Sequence, residues 1–327
     1  MKRYIKMVAA LLALMASFTA CENGDQAFDD YEGGTTAYFA YQSPVRTIVL
    51  GDDEYDTTLD KAHKLKIQAT FGGSYNGRNA TVNVAVDNSL CDNLTFADGT
   101  PVKAMPKEYY QLSTTAFNFN GGMKGGTEVQ LTDAFFNDPD AVKNTYVIPL
   151  VMQNQTGFDR IATGTLKEGK TGSRTNASIW ETAPRDYVMY CVKYQNKYCG
   201  WWLTNHNTST DNIEKASQVQ ITTRTLNSSV YTVEFQEGSN ILKADLLLTF
   251  DANEKCTITS LTDGVTATGT GSWADDALLS WNNKYRDLME LNAEITFAGG
   301  VKKNLNEKLV WWRSGVTKEE FSYTYNN

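Results

Sequence analysis

Apolar and polar residues alternate along most of the chain. In "KLKIQATF", Leu65, Ile67, Ala69 and Phe71 take every second position. Val82, Val84 and Val86 do the same in "TVNVAV", and Tyr146, Ile148, Leu150 and Met152 in "TYVIPLVM". A period of two puts one face of a strand in a core and the other in water. With Gly, Asn and Asp turns between the runs, it predicts antiparallel strands. The first half predicts strands near 36–42, 46–50, 63–71, 80–87, 109–118, 126–131 and 145–152. Their number and length suit an immunoglobulin-like β-sandwich over 36–152. "YNGRN" and "NGGMKGG" read as loop tips.

Residues 153–184 lose the alternation and read as a polar connector. All six prolines lie at or before Pro184, and all seven tryptophans at or after Trp180. That break sets a domain boundary near 184. The second half predicts strands at 187–195, 198–204, 217–224, 229–236, 241–250, 255–261, 264–270, 289–297 and 301–312, with one short helix inside Ser272–Glu290. A proline-free run suits continuous ladders. Strands that neighbour in sequence form an up-and-down meander, which closes into an antiparallel β-barrel over 185–327. The fold class is all-β.

Lys2, Arg3 and Lys6 precede an apolar run from Met7 to Met15 and small residues up to Ala20. This is a secretory signal over 1–20, too short to span a bilayer. Phe18-Thr19-Ala20-Cys21 resembles a bacterial lipobox. The resemblance implies that Cys21 becomes a lipidated N-terminus and that the protein is held to a membrane by its acyl chains, each buried methylene contributing about 0.8 kcal/mol. Residues 21–35 carry Glu22, Asp25, Asp29, Asp30 and Glu32 and read as a solvated tether. Acidic residues behind the cysteine also resemble the surface-export signal of Bacteroidetes lipoproteins, which implies the outer membrane with the protein facing the cell exterior.

The chain has 327 residues and a net charge of −8, which disfavours nucleic acid as a partner. Cys91, Cys191, Cys199 and Cys256 remain once Cys21 is lipidated. An even number in an oxidising compartment permits disulfides, Cys191 with Cys199 if their strands meet, or free buried thiols. With only His63 and His206 and no Cys/His cluster, no zinc site is expected. Asp/Asn loops leave calcium open, though no EF-hand spacing exists.

"CGWWLTN" and "LVWWRSG" each hold a tryptophan pair. Neighbours on a strand point to opposite faces, so each pair sends one indole inward and one outward. First and last strands pair in a closed meander, which brings Trp201/Trp202 near Trp311/Trp312. Gly200-Trp201-Trp202 resembles the lipocalin Gly-x-Trp signature, in which an arginine at the end of the last strand packs over the tryptophan. Arg313 stands in that place over Trp202. Outward indoles, with Tyr198 and Trp281, suit an aromatic platform for sugar rings, or equally barrel closure or an interface. The expected ligand-binding set is Trp201, Trp202, Trp281, Trp311, Trp312, Arg313 and Tyr198.

Asp275, Asp276 and Glu290 are carboxylates of the kind a glycoside hydrolase pairs, but no catalytic motif frames them. There is no G-x-S-x-G elbow, no P-loop and no dinucleotide fingerprint. Asp211, Glu214 and His206 read as loop residues. No enzyme activity and no cofactor are expected.

"TAYFAYQSPVRTIVLGDDEYDTTLDKAHKLKIQATFGG", then "VDNSLC", "YYQLS", "VQLTDAFFNDP" and "NTYVIPLVM", resemble the N-terminal domain of Bacteroidetes surface lipoproteins, found also ahead of family-18 endoglycosidases. The second half is similar to a small β-domain that accompanies it. The resemblance implies a SusE/SusF-like lipoprotein that captures oligosaccharide beside a SusC/SusD-type importer. The alternatives are an adhesin that binds protein and a lipocalin-like carrier of an apolar ligand.

Overall fold

The structure, a computed structural model, describes residues 29–204 and 213–326. The leader, Cys21, His206 and Asp211 lie outside the described residues. The strand Lys64–Gly72 buries Leu65, Ile67, Ala69 and Phe71 and turns Lys66 and Gln68 outward, as its alternation demands. It lies in a long sheet. In order across that sheet come Arg160–Ile161, Thr36–Tyr38, Lys64–Gly72, Lys124–Leu131, Ala116–Asn118, Thr81–Val86, Tyr146–Thr156, Tyr187–Gln195, Pro44–Val49 and Glu319–Glu320. The sheet curls over a core that includes Phe39, Phe117, Phe135, Phe136, Ile148 and Tyr194. The sandwich is thus one sheet folded back on itself. Tyr146–Met152 is buried on both faces. Its odd-numbered side meets a second cluster with Leu90, Phe96, Val147, Met189 and Phe321.

The segment Tyr187–Gln195, expected in the second domain, is a strand of this first sheet. It pairs antiparallel with Tyr146–Val151 and parallel with Pro44–Val49. Pairing, which alternation does not encode, decides its place. The end of the chain also returns here. Glu319–Glu320 pairs with Pro44–Val45, and Tyr323–Tyr325 with Leu94–Phe96. The connector carries a short hairpin, Thr165–Leu166 with Trp180–Thr182.

Between those two passages lies a closed barrel of eight strands: Gly200–Thr204, Ser217–Thr225, Ser228–Glu237, Asn240–Phe250, Lys255–Ser260, Thr266–Leu279, Tyr285–Thr296 and Lys302–Arg313. First and last strands pair, as expected of a meander. Gly200 (φ 137°) lets them meet, since a Cβ there would stand 2.8 Å from the Arg313 carbonyl oxygen. The expected helix within Ser272–Glu290 is instead a hairpin with a bulge between Ala274 and Leu278 and one tight turn at Trp281–Asn283. The buried positions Asp287, Met289, Leu291, Ala293 and Ile295 keep a period of two, which a helix cannot bury on one face.

Trp202, Leu246, Leu248, Phe250, Met289 and Leu291 fill the barrel interior. Packed side chains occupy the lumen that an apolar carrier needs, so that alternative loses its site. Asn196 fastens the barrel to the sheet. Its buried amide donates to the carbonyl oxygens of Thr225 (2.7 Å) and Ser228 (2.9 Å) and to Ser229 Oγ (3.0 Å). The described cysteines Cys91, Cys191, Cys199 and Cys256 are free and buried. Cys191 lies in the first sheet's second core, which separates it from Cys199 at the barrel mouth.

Candidate functional site

Three places concentrate chemistry. The first is the tryptophan-rich closure of the barrel. Trp202 is wholly buried and Trp311 nearly so, and the two are in register. Trp202 Nε1 donates to the Tyr198 carbonyl oxygen at 3.2 Å. Tyr198 is also buried, stacked on Phe250 with centroids 3.8 Å apart. These three side chains are packing, and no face of theirs is open to a sugar. Trp201 and Trp312 point outward and are half-buried. The Arg313 guanidinium lies 4.3 Å from the Trp312 ring and 5.8 Å from Trp201. It covers the outward indoles and not Trp202, where the lipocalin likeness would put it. The bulge between Trp201 and Trp202 shifts the register and places Arg313 opposite Trp201.

The second place is the rim where the hairpin Thr266–Thr296 meets the loop before Thr58. Asp52, Asp275 and Asp287 have carboxylate oxygens within 4.8 Å of one another. That distance lets them share a cation or a proton. Lys61 already pairs with Asp52 at 2.8 Å, and the contact holds the lysine pKa above its usual value. Asp287 is 3% exposed and accepts from the Asp276 amide at 3.1 Å. Burial, with Asp52 and Asp275 adding repulsion, pushes its carboxyl up to about 7. Close by, Arg286 stacks at 3.7 Å on Trp281. Its Nε is buried without a hydrogen-bond partner. Asp276, Asn282 and Asn283 all take left-handed backbone angles. Such angles cost free energy and concentrate where a site is held in shape. Glu290, on the same hairpin, is exposed.

The third place was not expected from the sequence. A cleft of about 630 Å³ opens in the first domain along the seam where its curled sheet stops short of closing. One wall is Lys64–Gly72, which pairs with Thr36–Tyr38 only from Thr70 onward. Among the described residues, no strand covers the same edge at Lys66 and Gln68. The facing wall is Pro44–Val49, whose outer edge is paired only at Pro44 and Val45. The Val49 amide donates instead to Asp60 Oδ2 at 2.9 Å. Phe39, Ile67 and Val188 form an apolar floor, and Tyr41, Tyr55 and Tyr190 stand in the walls. Tyr41 and Tyr55 are 42% and 75% exposed. The helix Thr58–Lys61 touches both walls at one end, and the crossing Phe39–Tyr41 stands at the other. The tail Val316–Glu319 forms part of the border. Alternation reports which residues are buried along a strand, but not where a sheet fails to close.

Two family models match the chain. A domain of unknown function (DUF5627) matches residues 202–315, nearly the span of the barrel. A model described as "-like, N-terminal domain" matches residues 31–159. The chain matches no curated protein. A crystal structure of a structural-genomics protein of unknown function from Bacteroides ovatus is 31% identical, covers 91% of this chain and 100% of its own, and superposes with a TM-score of 0.81. This chain belongs to the family of that protein. The family is of Bacteroidetes type, and its two parts are the curled sheet and the barrel. Two further Bacteroides ovatus structures stand much further off. A multidomain protein including DUF1735 is 10% identical, with a TM-score of 0.37 and 81% of this chain and 87% of its own covered. A proposed carbohydrate-binding protein is 12% identical, with a TM-score of 0.26 and coverages of 89% and 98%. Likeness at that level carries no functional argument.

Proposed function

We propose that the protein is a non-catalytic, lipid-anchored glycan-binding protein of the outer cell surface, holding oligosaccharide for uptake by a SusC/SusD-type importer. The seam cleft carries this reading. Its volume lies within the range of small-ligand sites. The apolar floor and the tyrosine rings match the C–H faces of pyranose rings, while open backbone groups at Lys66 and Gln68 and the rim side chains match hydroxyls. Both ends are stopped by the chain itself, which suits a compact ligand better than a long apolar one. The anchor and the surface location rest on the lipobox-like Phe18–Cys21 and the acidic residues behind it.

A glycan array probed with protein that starts after Cys21 tests the reading, beside Tyr41→Ala, Tyr55→Ala and Trp312→Ala. Specific binding that is lost in the tyrosine variants and kept in Trp312→Ala is the expected result. Binding lost only in Trp312→Ala moves the site to the barrel, and a blank array overturns glycan capture for the sugars tested. For the anchor, Cys21→Ala releases the protein from the membrane fraction, and protease added to intact cells digests the wild type.

A further inference from the structure

We infer that the glycan held in the seam cleft is anionic, bearing carboxylate or sulfate groups on more than one sugar unit. The inference rests on the cleft being the glycan site. The chain as a whole is acidic, with a net charge of −8. The cleft is nonetheless lined by Arg46, Lys66, Lys124 and Lys318. Of its four acidic lining residues, Asp60 and Glu319 are matched by a cation of the protein, while Asp53 and Asp56 are held by neutral donors and keep their charge at the border. Asp60 is buried and accepts from the Val49 amide and the Arg46 guanidinium. Glu319 pairs with Lys193 at 3.1 Å. Asp53 accepts from Ser314 Oγ, and Asp56 from the Thr58 amide, both at 2.9 Å.

The lysines are not engaged in the same way. The side chains of Lys66 and Lys124 are exposed, and among the described residues neither forms a salt bridge; Glu128, opposite Lys66 on the neighbouring strand, is paired with Lys64 at 2.6 Å. Lys318 donates to the Tyr41 hydroxyl, a neutral group, and lies 3.7 Å from the ring centre. Three ammonium groups therefore border one concavity with no carboxylate of this chain bound to them. A walled cleft lowers the local dielectric and strengthens their pull on an anion relative to open surface.

Their placement adds geometry. Lys66 and Thr70 share the outward face of one strand, and Thr70 lies opposite Lys124. The two lysines are therefore separated by about 13 Å along the strand direction, from four residues at about 3.3 Å each. That spacing of backbone positions is one that successive acidic units of an oligosaccharide can span, with each lysine reaching its own unit. Arg46, with its charge already matched by Asp60, is left to offer remaining N–H groups to hydroxyls or to an acid group from the opposite wall.

The test is titration calorimetry with four probes at matched length. These are oligogalacturonate, its carboxyl-reduced neutral counterpart, a chondroitin sulfate oligosaccharide and a neutral xylo-oligosaccharide. The expected result is binding of at least one acidic probe about tenfold tighter than its neutral counterpart, which is the weight of one charge-assisted contact. Its affinity drops several-fold between 50 and 500 mM salt, since partly exposed charges are screened. Lys66→Gln and Lys124→Gln each cost about five- to tenfold with no change in melting temperature, and Tyr41→Ala also weakens binding. Preference for the carboxylated or for the sulfated probe tells the two acid groups apart. Equal, salt-insensitive binding of the neutral probes overturns the inference and leaves the glycan reading standing. Binding of polyanions that ignores Tyr41→Ala overturns it as well, because that is attraction to charge alone. If no probe binds and an array is also blank, the glycan reading falls with it.

Discussion

Replacing Asp287 with asparagine tests the account of the rim most directly. The carboxyl sits 3% exposed beside Asp52 and Asp275, and burial lifts its pKa from 3.8 to about 7. A carboxyl with a raised folded-state pKa holds its proton more tightly in the folded chain. Stability is therefore fully present below about pH 4 and is lost as pH rises through about 7. A rise of that size is worth about 4 kcal/mol in all, of which about 3 kcal/mol falls between pH 5 and pH 8. Asparagine has nearly the same shape, still accepts from the Asp276 amide and, like the protonated acid, can donate to a neighbouring carboxylate. Urea unfolding of wild type and Asp287→Asn at pH 5, 6, 7 and 8 reads the difference, because other buried acids titrate equally in both. The variant exceeds the wild type by about 1 kcal/mol at pH 5 and by about 4 kcal/mol at pH 8, so the gap widens by about 3 kcal/mol across that range. A variant that loses stability with rising pH as steeply as the wild type refutes the argument.

Three further outcomes follow from packing and topology. Trp202→Ala leaves a cavity in the barrel and lowers stability by about 3–5 kcal/mol in urea unfolding, while Trp312→Ala, which loses a half-buried ring and its arginine contact, costs about 1 kcal/mol. Asn196→Ala strands the carbonyl oxygens of Thr225 and Ser228 at the junction, costing about 2 kcal/mol and opening the 196–200 link to limited proteolysis. Deleting residues 316–327 removes part of the cleft border and the strand on Pro44–Val45. It weakens ligand binding in calorimetry more than it changes the unfolding of the barrel.

The fold was largely legible because a half-buried strand writes its period into the sequence. Leu65 to Phe71 and Asp287 to Ile295 show it, the second stretch despite a bulge and a tight turn that imitate a helical spacing. Partnership between distant strands leaves no such mark. Tyr187–Gln195 has the same pattern whether it opens a barrel or completes a sheet, so its membership emerges only from its pairing with Tyr146–Val151. The tryptophan pairs announce their two faces correctly but not what covers them. Arg313 lies over Trp312 and Arg286 over Trp281, neighbours that the strand pattern does not announce. The cleft is one strand edge left open, among the described residues, at Lys66 and Gln68 and another at Thr47, and a strand with one open edge reads like any other strand.

The return of the chain from the barrel to the first sheet changes what the molecule is. Residues 94–96 wait for residues 323–325 to complete their pairing, and Pro44–Val45 wait for Glu319–Glu320. A chain that emerges from its N-terminus can close the barrel as a local meander while the first sheet still lacks its last edge. Contacts this far apart in sequence form slowly. The barrel is then a bead threaded on a loop of the domain it serves, held by two strands of polypeptide and unable to swing on a single hinge. Its ends meet at Gly200–Thr204 and Lys302–Arg313, the geometry of a unit that can be lifted out or exchanged while the seam cleft stays with the host sheet.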